Sequence, residues 1–169
     1  MHISVPTENG FLDDRYGRRA SRQQAPNGPV SFPITISDVP AGTKTLAFTL
    51  VDFDAIPVGG LPWIHWIGAN IPGDVRKLPE NASRSGVIDF VQGHNSTAGN
   101  VIGETDPEIT TRYADPAPPD QDHAYTLTFY ALDKELPLKE GFWMNELYHA
   151  MAGHIIDEAK IDVNYRQID

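Results

Sequence analysis

Short runs in which apolar side chains alternate with small or polar ones recur along the 169-residue chain. Residues 29–36 (PVSFPITI) set Val30, Phe32, Ile34 and Ile36 at steps of two, the spacing of a strand with one buried face. Residues 45–53 (TLAFTLVDF) repeat the pattern with Leu46, Phe48 and Leu50. Residues 63–71 (WIHWIGANI) and 124–132 (AYTLTFYAL) are aromatic and β-branched, which predicts central strands. From Asn145, the segment NELYHAMAGHIIDEAKI brings Leu147, Met151, Ile155 and Ala159 round every four residues, predicting one amphipathic helix packed on a sheet. Asn145 is its expected cap, and Glu146 suits the positive end of its dipole. Gly153 within that helix would cost about 1 kcal/mol relative to Ala, which points to a close approach of another element. The expected class is mostly β, with a few helices at the periphery, one of them near the C-terminus.

Composition narrows this picture. Fourteen glycines and fourteen prolines are spread between the strand-like runs and not gathered in a linker, so they predict many turns in one domain over residues 1–169. Residues 1–28 are expected to be an N-terminal arm or loop, and the basic stretch RYGRRASR (Arg15 to Arg22) is read as solvated. No repeat or low-complexity tract is present. The absence of cysteine removes disulfides, thiolate metal sites and cysteine nucleophiles, and fits a reducing compartment. With no leader pattern and no long apolar run, the expected location is cytoplasmic, without integral membrane association. A net charge of −10 opposes nucleic acid as a partner.

Several polar residues fit poorly into a plain β core. Asp52 and Asp54 close an apolar strand, and two residues apart they would share a face if the strand continued. Strict alternation puts Trp63, His65 and Ile67 on one side of their strand, with Ile64 and Trp66 on the other. His123 shares a face with Tyr125, Leu127 and Phe129. The segment YADPAPPDQDHAY (residues 113–125) leads into that strand with three prolines, which fix φ and give the loop a shape of its own. Imidazole N–H groups and a tyrosine hydroxyl are donors suited to an anion, and a neighbouring carboxylate fixes each ring's tautomer. The pattern describes a small preformed pocket. No G-x-S-x-G elbow, P-loop, Rossmann glycine fingerprint or HExxH run accompanies it, so neither an enzyme nor a cofactor is expected.

The stretches TLVDFDAIPVGGLPWIHW and YADPAPPDQDHAYTLTFYALD resemble the two signature segments of the phosphatidylethanolamine-binding protein family, in its bacterial Raf-kinase-inhibitor-like branch. That family shows Asp-x-Asp-Ala-Pro leading to Trp-x-His-Trp, and later Tyr-x-Gly-Pro-x-Pro-Pro leading to His-x-Tyr. The resemblance extends over residues 29–165, including AMAGHIIDEAKI and the closing NYR. It implies a β-sandwich of antiparallel-rich sheets with peripheral helices. It also implies a pocket for phosphate and other small anions formed by Asp52, Asp54, Trp63, His65, Tyr113, Pro116, Pro118, Pro119, His123 and Tyr125.

Three departures bear on that pocket. Phe53 stands where the family has proline, and Ile56 separates Ala55 from Pro57. The segment PDQDH before the second strand lacks the usual glycines. Asp115 replaces the family's glycine, which would cost about 1 kcal/mol or more at positive φ and adds a negative charge beside an anion. If an anion still binds, the Asp115 carboxylate is expected to turn away or be paired; if it points inward, it blocks anions and holds His123 charged. The implied function is non-catalytic binding of phosphate, a phospho-headgroup or a carboxylate, with a protein partner such as a kinase and room for a homodimer. The alternatives are a metal-dependent enzyme using Asp52, Asp54, His65 and His123, and a protein-interaction module with a vestigial pocket.

Overall fold

The computed structural model describes residues 1–168. Its strands are β1 (His2–Ser4), β2 (Ile34–Ser37), β3 (Thr45–Asp52), β4 (Trp63–Pro72), β5 (Lys77–Leu78), β6 (Val91–Gln92), β7 (His123–Leu132) and β8 (Ile155–Tyr165). Its helices are α1 (Ile56–Gly59), α2 (Ala82–Ser85), α3 (Pro107–Thr110) and α4 (Met144–Met151). One sheet has the order β1-β2-β5 and the other β6-β4-β3-β7-β8, and every pairing within them is antiparallel. The chain forms the mostly β class expected from the alternation, with the two antiparallel sheets that the resemblance implies.

The larger sheet is covered on both sides, which explains why all eight residues of β3 are buried. Leu46, Phe48 and Leu50 face the smaller sheet and meet Phe32, Ile34 and Ile36. Phe48 stacks on Phe129 at 5.1 Å and takes the edge of Trp66 at 4.6 Å, contacts that add to plain area burial. On the other side Ala47, Ile67, Tyr130 and Leu132 are covered by Leu147 and Met151 of α4.

The expected long C-terminal helix is two elements. α4 ends at Met151, Gly153 takes the left-handed conformation at φ 79°, and residues 155–165 return as β8 along the whole of β7. Gly153 is a terminator and not a site of close packing, since a Cβ there would meet nothing within 4 Å. The helix is capped at Trp143 and not at Asn145, with Glu146 reaching back to accept from the Trp143 amide at 2.7 Å. The strand expected over residues 29–36 is paired only from Ile34, although Phe32 is buried ahead of it.

Residues 1–28 are not a free arm. β1 pairs with β2, the Leu12 amide donates to the Asn164 carbonyl at 2.9 Å, and Tyr16 is buried in the main core. The basic stretch is only partly solvated: Arg18 and Arg22 are exposed, Arg15 and Arg19 are half-buried, and Arg15 pairs with Asp13, Arg18 with Asp115 and Arg19 with Asp14.

Candidate functional site

The ends of β3, β4 and β7 meet at Asp52. In the sheet its neighbours are Trp63 on one side and Tyr125 on the other. One Asp52 oxygen accepts from the Ala55 amide at 3.1 Å, a turn closed by an aspartate side chain. The other lies 2.7 Å from His123 Nδ1, and both side chains are buried. Asp54 does not share this face. The chain turns after Asp52, and Asp54 Oδ2 accepts from the Ala124 amide at 2.9 Å, tying the end of β3 to the start of β7.

His65 reaches the same place through a break in alternation. Leu50 pairs with Trp66 but Val51 pairs with Ile64, so His65 is the extra residue of a β-bulge. The bulge turns His65 and Trp66 to the same side: His65 packs edge-on to Tyr125 at 4.9 Å and Trp66 packs on Phe48, while Ile64 and Ile67 lie on the opposite face. The unpaired backbone is used, because the His65 carbonyl accepts from the Ala114 amide at 2.8 Å. His65 Nδ1 lies 2.8 Å from the Ala114 carbonyl, which can only accept, so Nδ1 carries the proton. Burial lowers the pKa of His65, with the Ala114 carbonyl and the Asp52 charge pulling part of the way back. The ring is therefore neutral, with Nε2 as an acceptor.

His123 is the opposite case. Nδ1 faces Asp52 and Nε2 faces Asp120 Oδ1 at 2.9 Å, and both partners are acceptors, so both nitrogens carry protons. Burial opposes that charge, but the hydrogen bonds from Asp52 and Asp120 outweigh it and raise the pKa. Tyr125 lies beside both rings, 4.9 Å from His65 and 6.4 Å from His123 between centroids. Burial, then the Asp52 charge, raise its pKa, so the hydroxyl keeps its proton. Among the described residues that buried hydroxyl has no acceptor for its proton; the nearby Ala117 amide, itself a donor, only offsets part of the rise in pKa.

The remaining candidates form the wall. Tyr113 is a support: its hydroxyl donates to the Tyr16 carbonyl at 2.7 Å, its amide to Ser83 Oγ at 2.9 Å, and its ring packs against Trp66 and Phe32. Pro116 and Pro118 are buried and Pro119 is exposed; their carbonyls accept from the Arg18 amide, the Ile168 amide and Gln167 Nε2. Asp115 is paired, its Oδ2 2.8 Å from Arg18 Nε, and it is not one of the non-glycine residues with positive φ. Glycine's backbone freedom is not needed at this position. Trp63 is half-buried at the mouth of β4.

Sequence reasoning passed over Asp120, Arg18 and the Ala114 carbonyl. Asp120 alone carried a local signal, standing three residues before His123. Two cavities, of 240 and 370 Å³, lie elsewhere, one on the outer face around Thr49, Thr128 and Tyr148 and one beside Arg84 and Arg112. Neither is lined by His65, His123 or Tyr125. Among the described residues no group of three or more His, Asp and Glu side chains is arranged to hold a metal ion, so the four suggested ligands do not assemble as a metal centre. No helix there is long and apolar enough to cross a membrane.

The family model for phosphatidylethanolamine-binding protein matches residues 2–166. YxkA of Bacillus subtilis, an uncharacterized protein, is 49% identical over 165 residues, covering 96% of this chain and 98% of its own. YbhB of Escherichia coli is 39% identical over 107 residues, 63% of this chain and 61% of its own. The crystal structure of CT736 from Chlamydia trachomatis, described as a PEBP homologue, superposes with a TM-score of 0.73 at 31% identity, covering 99% of this chain and 97% of that one. E. coli YbcL, described as a member of the mammalian PEBP family, gives 0.73 at 26% identity over 99% and 98%. With the signature residues gathered at the ends of β3, β4 and β7 and the match running through nearly the whole chain, this protein belongs to the phosphatidylethanolamine-binding protein family.

Proposed function

We propose that the chain is a non-catalytic binding protein for a small oxyanion, held where Tyr125, His65 and His123 meet. The observation that carries this reading is the Tyr125 hydroxyl, a protonated donor buried without an acceptor. A buried polar group left unpaired costs about 1–3 kcal/mol, and a ligand oxygen would recover it. The neighbouring groups suit the rest of such a ligand. His123 presents an Nε2–H that already bonds a carboxylate oxygen, and neutral His65 offers a lone pair to a protonated oxygen. A singly charged phosphate, the monoester with one proton or inorganic phosphate with two, fits both demands: its charged oxygens accept from Tyr125 and His123, and an O–H donates to His65. Asp115 does not oppose it, because Arg18 neutralises that carboxylate.

Tyr125→Phe tests the reading. Removing the unpaired hydroxyl should leave stability unchanged or raise it by about 1 kcal/mol, since the buried cost disappears. The same change should weaken inorganic phosphate binding about tenfold, because a charge-assisted hydrogen bond is lost. Calorimetric titration gives the affinity and urea unfolding the stability. A variant that binds phosphate as the parent does, or loses stability, would count against a ligand-facing role for Tyr125.

A further inference from the structure

The two carboxylates on His123 differ in kind. Asp52 is fixed, with a side chain 5% exposed at the end of β3 and its second oxygen held by the Ala55 amide. Asp120 is 46% exposed in the turn before β7, and among the described residues its side chain bonds only to His123 Nε2. The backbone around Asp120 is pinned on both sides. Gln167 Nε2 donates to the Pro119 carbonyl, the Gln167 amide donates to Asp122 Oδ1 at 2.8 Å, and the Ile168 amide donates to the Pro118 carbonyl. Rotation of one exposed side chain is therefore enough to free His123 Nε2, with no opening of the loop.

From this arrangement, and resting on the anion-binding reading above, we infer that Asp120 is an internal substitute ligand: its carboxylate occupies the place on His123 Nε2 that an incoming oxyanion takes, and binding proceeds by exchange. Four charged or titratable neighbours besides Asp120 face the same cluster: Asp52 from β3, His65 from β4, Tyr125 from β7, and Asp115 from the loop, itself paired with Arg18. An anion arriving with Asp120 still in place would bring a further negative charge to one imidazolium. Exchange keeps the count, one carboxylate leaving as one oxyanion enters. The site then selects singly charged oxyanions over doubly charged ones, since a second charge would meet the buried Asp52 carboxylate without a new cation. Asp120 sets both the ligand's charge and the threshold concentration at which it binds.

The test compares the full-length parent with Asp120→Ala, Asp120→Asn and Asp74→Asn. Asp74 follows the far end of β4 and controls for the loss of one negative charge anywhere on the molecule. Inorganic phosphate and acetate are the probes, followed by nitrogen and proton NMR of the histidine rings. If the substituted state holds His123 most of the time, Asp120→Ala should bind phosphate about tenfold more tightly than the parent, because the internal competitor is gone. Asp120→Asn, which keeps shape but not charge, should fall between them, and Asp74→Asn should stay within about twofold of the parent, as a remote screened charge does. Without ligand, His123 should titrate at lower pH in Asp120→Ala than in the parent. Equal or weaker phosphate binding by Asp120→Ala, with the parent still binding, overturns the exchange while anion binding stands. No phosphate or acetate binding by any of the four proteins overturns the anion site itself, and the exchange with it.

Discussion

At the scale of single residues, two histidines packed on the same tyrosine are held in opposite states by what each ring nitrogen meets. His65 bonds a carbonyl and is pushed toward neutrality by burial; His123 bonds two carboxylates and keeps its charge. The consequences for stability have opposite signs. A base whose folded pKa is lowered contributes stability that is present above its unfolded pKa and lost as pH falls, whereas one whose pKa is raised contributes stability present below its unfolded pKa and lost as pH rises through the folded value. Acidification from about pH 6.5 to 5 therefore weakens the fold through His65, at a rate bounded by about 1.4 kcal/mol per pH unit for one proton, while the opposing slope from His123 fades as pH drops below its unfolded pKa. Urea unfolding across that window should show stability falling on the acid side in the parent and a flatter profile in His65→Gln. An unchanged slope in the variant would mean that His65 is not held neutral. The residue types were legible in the sequence. Their protonation states were not, because Ala114 and Asp120 reach the rings through a loop whose path no local pattern specifies.

At the scale of elements, the C-terminal region shows where periodicity misleads. An i+4 step is also an even step, so Leu147, Met151, Ile155 and Ala159 lie on one face of a helix and equally on one face of a strand. The residues that separate the two readings are at i+3 and i+7 from Ile155, where Glu158 and Asp162 stand, both polar. Ala159, Ile161, Val163 and Tyr165 instead alternate with more exposed residues, which is the pattern β8 displays. Gly153 makes the switch. Gly153→Ala should cost about 1 kcal/mol or more, because an alanine is strained at φ 79° whatever space surrounds it. A denaturant midpoint that rises instead would mean that the helix continues past residue 152. The His65 bulge is a second case, since alternation alone cannot show an inserted residue and here it turns the His65 ring toward Tyr125.

At the scale of the whole molecule, the strands and signature segments could be read from sequence because their information is local: alternation, aromatic content and prolines in a short span. What closes over the site comes from far along the chain. Arg18 meets Asp115 across 97 residues and Gln167 meets Asp122 across 45, pairings that the tertiary fold alone creates. The N-terminal segment, expected as an arm or loop, packs Leu12 and Tyr16 into the core, and Gln167 and Ile168 brace the turn that carries Asp120. The site is thus assembled from both ends of the chain around one buried, unpaired hydroxyl. The most direct measurement is diffraction from crystals of the parent soaked in phosphate. The account predicts an oxyanion within hydrogen-bond reach of Tyr125 Oη and His123 Nε2, with the Asp120 carboxylate turned to solvent. Crystals in which Tyr125 Oη stays without a ligand oxygen and Asp120 remains on His123 would contradict it.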